Sequence, residues 1–291
     1  MRISAVLIVQ DESQLLPRCL DSIKGVDEII ICDQGSEDNT IRIAQRYTDK
    51  IYTDHKWEDS FCKARNHAKS KATGDWILSI DADEWCHDFS EVRKAAEEAD
   101  KQGYNAVECK MIAEDNGQFF MYPRLFKNVP EVFWVGNIHN HLSVQGVSIG
   151  NVQITHGYSP AHNRDPHRAL RILEKDAKIP GNVREQYYLG REYFYRGRWE
   201  EAAKILFVYT EQTRYLSEKA DAYLIMSRCF WNMRMADEAR DACMQALLIN
   251  ANFKEAILWM ADLSWPHNAD QWKRMAETAN NRDVLFVREI K

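Results

Sequence analysis

The chain has 291 residues, 45% hydrophobic and 28% charged, with only 12 Gly and 7 Pro, a globular composition that predicts two domains and leaves little room for disordered tracts. The formal net charge of -6 is unevenly spread: up to residue 158 there are 17 basic against 25 acidic residues, a balance of -8, and beyond it 21 against 19, a balance of +2. That distribution argues against a general nucleic-acid binder, which needs a clear basic surplus, though it leaves room for a local basic groove. The first apolar run, ISAVLIV, is too short to span a bilayer and is followed by QDES rather than by a small-residue cleavage site, so it reads as a strand and not as a signal or membrane segment. Seven scattered cysteines, Cys19, Cys32, Cys62, Cys86, Cys109, Cys229 and Cys243, form no C-x-x-C pair and fit a reducing, cytoplasmic compartment.

From that first strand to about residue 100, short apolar runs (SAVLIV, EIIICD, KIYTD, WILSID) alternate with amphipathic segments (LLPRCLDSI, NTIRIAQRY, FCKARNHAKSKA). β-branched runs separated by helical-period segments predict βαβ units and an open, twisted, parallel α/β sheet. From Ala106 to Thr155 the pattern becomes short extended pieces broken by Gly, Asn and Pro, which predicts an antiparallel extension of that sheet. After about Pro160 strands give way to helices, so residues 1–160 and 161–291 are expected as an α/β domain and an all-α domain.

Within the second domain, Tyr187, Gly190, Tyr193, Gly197 and Ala202 have spacings that resemble a tetratricopeptide helix pair. Ser227, Phe230, Ala239 and Ala246 repeat the pattern, and a degenerate third unit begins around Ala261. The aromatic and basic cluster of Tyr187, Tyr188, Tyr193, Phe194 and Tyr195 with Arg191, Arg196 and Arg198 is either the packed seam of such an array or a stacking groove for a peptide or nucleic-acid strand. Upstream, His162, Arg164, His167, Arg168 and Arg171 could neutralise an anionic ligand, or be exposed helix charges.

Two strand ends carry the chemistry. EIIICD ends at Asp33 and runs into QGSEDNT; at the carboxyl end of a strand in an open α/β sheet this acid can accept hydrogen bonds from a ribose or a base, or it can merely cap the next helix. WILSI is followed by Asp81 and Asp83, which alternation along an extended backbone sends to one side, where the carboxylates repel unless a hard divalent cation such as Mg²⁺ or Mn²⁺ joins them.

Taken in order, Asp33-x-Gly35-Ser36-x-Asp38-x-Thr40, Trp57, the ARNHA segment with Arg65 and Asn66, ATGDWILSIDADE, YPRLFKN and IHNHL resemble a family-2 glycosyltransferase of the GT-A fold over about the first 160 residues. Within the family the chain looks closest to the branch holding lipopolysaccharide-core glucosyltransferases and bacteriocin S-glycosyltransferases, and a helical-repeat tail also occurs with that catalytic domain. The resemblance implies a metal-dependent transfer of a sugar from a nucleotide diphosphate donor, a UDP-sugar for preference, with inversion. It implies that Asp33 contacts uracil or ribose, that Arg65 lies near the nucleotide, and that Val9, Asp11, Glu12, Gly35 and Ala82 border the same ligand. Asp81 and Asp83 match the D-x-D that binds metal and diphosphate, and His156 matches a late histidine able to approach the metal.

One departure matters. The related branch usually has an acid after the IH pair, where this chain has Asn140, and an amide cannot act as a general base. The candidates for that role are His141 and His139 in the same segment, Glu84 beside the metal motif, and Asp115 in AEDNGQ; an acidic acceptor such as a thiol would need little base assistance. The competing expectation is a catalytically impaired scaffold whose helical repeats bind a protein or nucleic-acid partner. The acceptor stays open among a saccharide or lipid-linked saccharide, a peptide side chain and a modified DNA base.

Overall fold

The apolar run Ile3–Val9 forms β1, buried along nearly its whole length, as a strand covered on both faces must be. It is followed by α1 (Leu16–Ser22), β2 (Glu28–Asp33), α2 (Thr40–Ala44), β3 (Ile51–Tyr52), α3 (Phe61–Ser70), β4 (Trp76–Ser79), β5 (Glu84–Cys86) and α4 (Phe89–Gln102). Then come β6 (Ala106–Ala113), β7 (Phe119–Lys127), β8 (Trp134–Val135), β9 (His141–Leu142) and β10 (Ser148–His156). This computed structural model describes residues 1–279. Among them the chain packs as two units that divide after Pro166, and a short 3-10 helix, Pro160–Arg164, still belongs to the first.

Eight strands form one sheet in the order β3-β2-β1-β4-β7-β6-β10-β5, and β8 pairs with β9 apart from it. β1 lies parallel to both β2 and β4, and β2 is parallel to β3, the βαβ arrangement expected from the sequence. β7 runs antiparallel to β4 and to β6, the expected extension. The pairing of β10 with β6 is parallel instead, because the excursion through β7, β8 and β9 brings the chain back to the end at which β6 began. The order of β1, with β2 on one side and β4 on the other, makes a switch point between β1 and β4, where the carboxyl ends of strands open onto a crevice.

Both faces of the sheet are covered. Ile3, Leu7, Ile31, Trp76 and Leu78 pack with Leu16 and Leu20 of α1 and Val92 and Ala96 of α4, while Val6, Ile30, Ile77 and Phe126 pack with Ala68 of α3 and Trp134 of β8. α4 starts where the Asp88 carboxylate accepts from the Ser90 amide at 2.8 Å, and stops at left-handed Gly103.

The second unit is helical: α5 (Arg168–Asp176), α6 (Val183–Tyr195), α7 (Trp199–Gln212), α8 (Leu216–Asn232), α9 (Ala236–Ile249), α10 (Lys254–Leu263) and α11 (Pro266–Thr278). Consecutive helices pack on one another, and the predicted small residues lie at the crossings. A Cβ on Gly190 of α6 would collide with Leu206 and meet Ile205 at 3.2 Å, both on α7. Gly190→Val is therefore expected to destabilise the helical unit by about 1–3 kcal/mol through overpacking, read as a lower urea midpoint; an unchanged midpoint would show that the helices do not cross there. Ser227, fully buried on α8, donates its hydroxyl to the Ala239 carbonyl at 2.6 Å and accepts from Trp259 Nε1 at 2.9 Å, joining three helices.

Most of the aromatic cluster lies in the packed seam, with Tyr187 and Phe194 buried and Tyr188 and Tyr193 packed against them, whereas Tyr195 is 53% exposed. Tyr187 is fully buried; its hydroxyl donates to Asp221 at 2.6 Å and accepts from Arg191 at 2.9 Å, while Arg191 also reaches the Tyr195 hydroxyl at 2.7 Å. Arg196 pairs with Glu192 at 2.6 Å and Arg198 with Glu174 at 3.4 Å. The guanidinium groups are thus committed within the unit. No described helix is long and apolar enough to cross a membrane.

Candidate active site

Two loops are welded together at the carboxyl ends of β1 and β2. Asp11, held at positive φ of 57°, accepts from the amides of Glu37 at 2.7 Å and Asp38 at 3.1 Å. In return the amides of Asp11, Glu12 and Ser13 donate to Ser36 Oγ at 2.9 Å, Thr40 Oγ1 at 2.7 Å and Asp38 at 3.1 Å. Asp33 lies in register with Val9. Its carboxylate accepts from the Gly35 and Ser36 amides, each at 3.0 Å, and from the Ser36 hydroxyl. Gly35 sits at φ +101°, where a side chain would be strained. The loop therefore presents Asp33 as a fixed, buried acid.

Across the switch point, β4 ends at Ser79 and the chain turns, the Glu84 amide bonding the Asp81 carbonyl at 3.0 Å. Asp81 and Asp83 are thus in a turn rather than on an extended backbone, and alternation does not set their directions. Their environments differ sharply. Asp81 accepts from Arg65 Nη2 at 2.9 Å on both oxygens and from Arg124 at 3.0 Å; burial alone would push its carboxyl up, but the two guanidinium groups hold it below the usual carboxylate range. Asp83 has the opposite fate. Burial, and then the charge of Asp81, push it up to about 6.

Glu84 is buried beneath the pair, with Oε2 accepting from the Asp81 amide at 2.9 Å and Oε1 from Arg124. Burial pushes its carboxyl up against the pull of Arg124. Glu12 faces the same space and is raised to about 7, chiefly by burial and secondarily by Asp83, Asp81 and Asp38, although the Ser159 hydroxyl donates to it at 2.8 Å. Ala82 is buried between the two aspartates. The segment after β10 closes this side: the Gly157 amide donates to the Asp83 carbonyl at 2.8 Å, and Arg164 pairs with Asp11.

His156 ends β10 with its backbone in antiparallel register with Glu84, and its ring stands edge-on to Phe120 at 5.6 Å. A carboxylate plus an imidazole suits a Mn²⁺-type ion, and the raised Asp83 carboxyl marks a place where positive charge is welcome. Among the described residues no group of three or more His, Cys, Asp or Glu is arranged to hold a metal. Mg²⁺ and Mn²⁺ are ordinarily held by one or two carboxylates with substrate phosphates and water, so the residues present fit such a group.

The candidate bases are separated. Glu84 is 4% exposed and bonded on both oxygens. Asp115 is exposed in the β6–β7 turn. His139 and His141 are exposed on the β8–β9 segment, whose Asn140 carbonyl is fixed by the Tyr122 hydroxyl. That segment is anchored by Asn66 of α3, which exchanges hydrogen bonds of 2.9 and 2.8 Å with the Trp134 backbone. Arg164 belongs to this unit, whereas His167, Arg168 and Arg171 belong to the helical one; the His162 side chain lies outside the described residues. Arg124 had no role assigned from the sequence. Its signal was present in YPRLF, where a proline next to an arginine interrupts a strand.

The chain is 40% identical over 137 residues to a TPR repeat-containing protein of Synechococcus elongatus, covering 45% of this chain and 33% of that one. It is 29% identical over 221 residues to the SPbeta prophage-derived glycosyltransferase SunS of Bacillus subtilis, covering 70% and 52%. The chain thus spans between a third and about half the length of these relatives. The structure of S. aureus TarS 1-349 in complex with UDP-GlcNAc aligns with a TM-score of 0.46 at 11% identity, covering 96% of this chain and 91% of that one. The model of the family described as "Glycosyl transferase family 2" matches residues 4–170, more than half of the chain, which therefore belongs to that family.

Proposed function

We propose that the chain transfers a sugar from a nucleotide diphosphate donor, a UDP-sugar, to an acceptor, by a single displacement with inversion. The observation that carries this is the split pair at the end of β4: Asp81 locked as an anion between two arginines, and Asp83 raised to about 6 with positive charge wanting beside it. Asp33, buried at the end of β2 across the switch point, is the acid that takes the nucleoside, with Val9, Asp11 and Gly35 shaping its loop. Asp83 and His156 would hold a Mn²⁺ or Mg²⁺ ion, which when bound would neutralise charge developing on the departing diphosphate.

Arg65 acts through Asp81 and also reaches Ser79 Oγ at 3.2 Å, so its guanidinium is pinned at the floor of the crevice. Glu84 is a positioning residue, being buried and fully engaged. His139 and His141, exposed on a segment held by Tyr122 and Asn66, are the groups we assign to taking a proton from an incoming acceptor. Seven unpaired thiols, six of them buried, support a reducing compartment.

The test is nucleotide release. Purified protein with Mn²⁺ or Mg²⁺ and a panel of nucleotide sugars is expected to liberate UDP from at least one UDP-sugar, and to stop when EDTA is added. Absence of release and of metal-dependent nucleotide binding across the panel would sink the reading. Transfer to saccharide, peptide and DNA acceptors, followed by mass gain, then identifies the acceptor class.

A further inference from the structure

The pairing of β6 with β7 slips by one residue: Val107 faces Leu125, but the next residue, Glu108, faces Pro123. Arg124 is the extra residue of that bulge. A proline has no amide to give the ladder and is tolerated at such irregularities, and a bulge redirects the side chain it carries. Here the redirected side chain is a guanidinium only 8% exposed, which bonds Asp81 Oδ2 at 3.0 Å and Glu84 Oε1. Among the described residues its Nε has no hydrogen-bond partner, so the two carboxylates fix its orientation. Across β4, Leu125 pairs with Leu78, so Arg124 stands beside Ser79, where β4 ends and the turn to Asp81 begins.

We propose that Arg124, aimed by the bulge at Pro123, is a positioning residue of the donor site. By bridging Asp81 and Glu84 it commits Asp81 to the arginines and so leaves Asp83 as the carboxylate of the pair that meets the cation-bearing diphosphate. Arg65 supplies the second half of the clamp from α3, reaching both Asp81 oxygens and so sharing Oδ2 with Arg124. Without Arg124, Glu84 would lose its cation and Asp81 one of its two, freeing the turn that sets the direction of Asp83. This inference rests on the donor-site reading above.

Wild-type protein is compared with Arg124→Lys and with the double variant Arg124→Met/Glu84→Gln, which removes the buried ion pair as a unit and leaves no uncompensated charge on Glu84. Each is followed by thermal melting and by calorimetric titration of UDP in the presence of Mn²⁺. The double variant is expected to melt near the wild type yet bind UDP on the order of 10–100-fold more weakly, as loss of a supporting partner does at metal sites. The lysine variant should fall in between, because an ammonium keeps the charge but not the fork. Wild-type UDP affinity in either folded variant would overturn the proposal, and so would failure of both to fold, which would make Arg124 purely structural. A wild type that binds UDP with Mn²⁺ but turns over no sugar donor would sink the transferase reading without altering the Arg124 comparison; a wild type that binds no UDP would sink both.

Discussion

Replacing Asp83 with asparagine is expected to lower donor turnover by about 10²–10³-fold, the loss typical when a group that stabilises developing charge is removed. The same change is expected to stabilise the metal-free fold. The carboxyl of Asp83 sits at about 6, against 3.8 for an ordinary aspartate, because burial and the neighbouring Asp81 charge oppose its ionisation. A group raised in this way favours the fold below its unfolded pKa and loses that contribution as pH rises through the folded value. Between about pH 4 and 6 the wild type should therefore lose stability on the order of 1–3 kcal/mol that the asparagine variant keeps. A loss of activity with a gain in melting temperature is the signature of a site strained for function. Full turnover in the variant would remove Asp83 from the mechanism.

The largest stability effect is expected at Glu28. Its carboxylate, buried at the start of β2, accepts from Ser4 Oγ, from Lys50 Nζ, from the Thr73 amide at 2.7 Å and from Thr73 Oγ1 at 2.9 Å. It ties β1, the approach to β3 and the approach to β4 to a single point. Burial pushes the carboxyl up, but these hydrogen bonds outweigh it and hold the group down at about 2. A depressed carboxyl stabilises the fold above its unfolded pKa, and the contribution fades as pH falls through the folded value. The wild type should lose about 3 kcal/mol between pH 4.5 and 2 by this route. Glu28→Ala, which strands the donors around it, is expected to cost about 3–5 kcal/mol at neutral pH. Chemical denaturation of both proteins at pH 7 and pH 3 reads the two effects; equal stabilities at pH 7 would show that the cluster contributes nothing net.

Much of the α/β unit was legible because its signals are local. The apolar runs ending at Val9, Asp33 and Ser79 are strands covered on both faces, so they read directly, and the acids beyond them fall at the switch point that parallel topology creates. The small residues at Gly190 and Ser227 likewise announced helix crossings. What could not be read depends on partners distant in sequence. The opposite behaviour of Asp81 and Asp83 comes from Arg65 and Arg124, which lie 16 and 43 residues from Asp81. The burial of Glu84 with both oxygens bonded likewise involves Arg124, 40 residues away in the chain. The parallel entry of β10 beside β6, which places His156, depends on the whole intervening excursion. The bulge at Pro123 exists only as a slip between two strands.

The most direct measurement is a crystal structure of the protein grown with UDP and Mn²⁺, with anomalous data collected at the manganese edge. The expected result is an anomalous peak at Asp83, the uridine against Asp33, and Asp81 still held by Arg65 and Arg124. A peak on Asp81 with Asp83 turned away, or a nucleotide seated outside the crevice between β1 and β4, would contradict it.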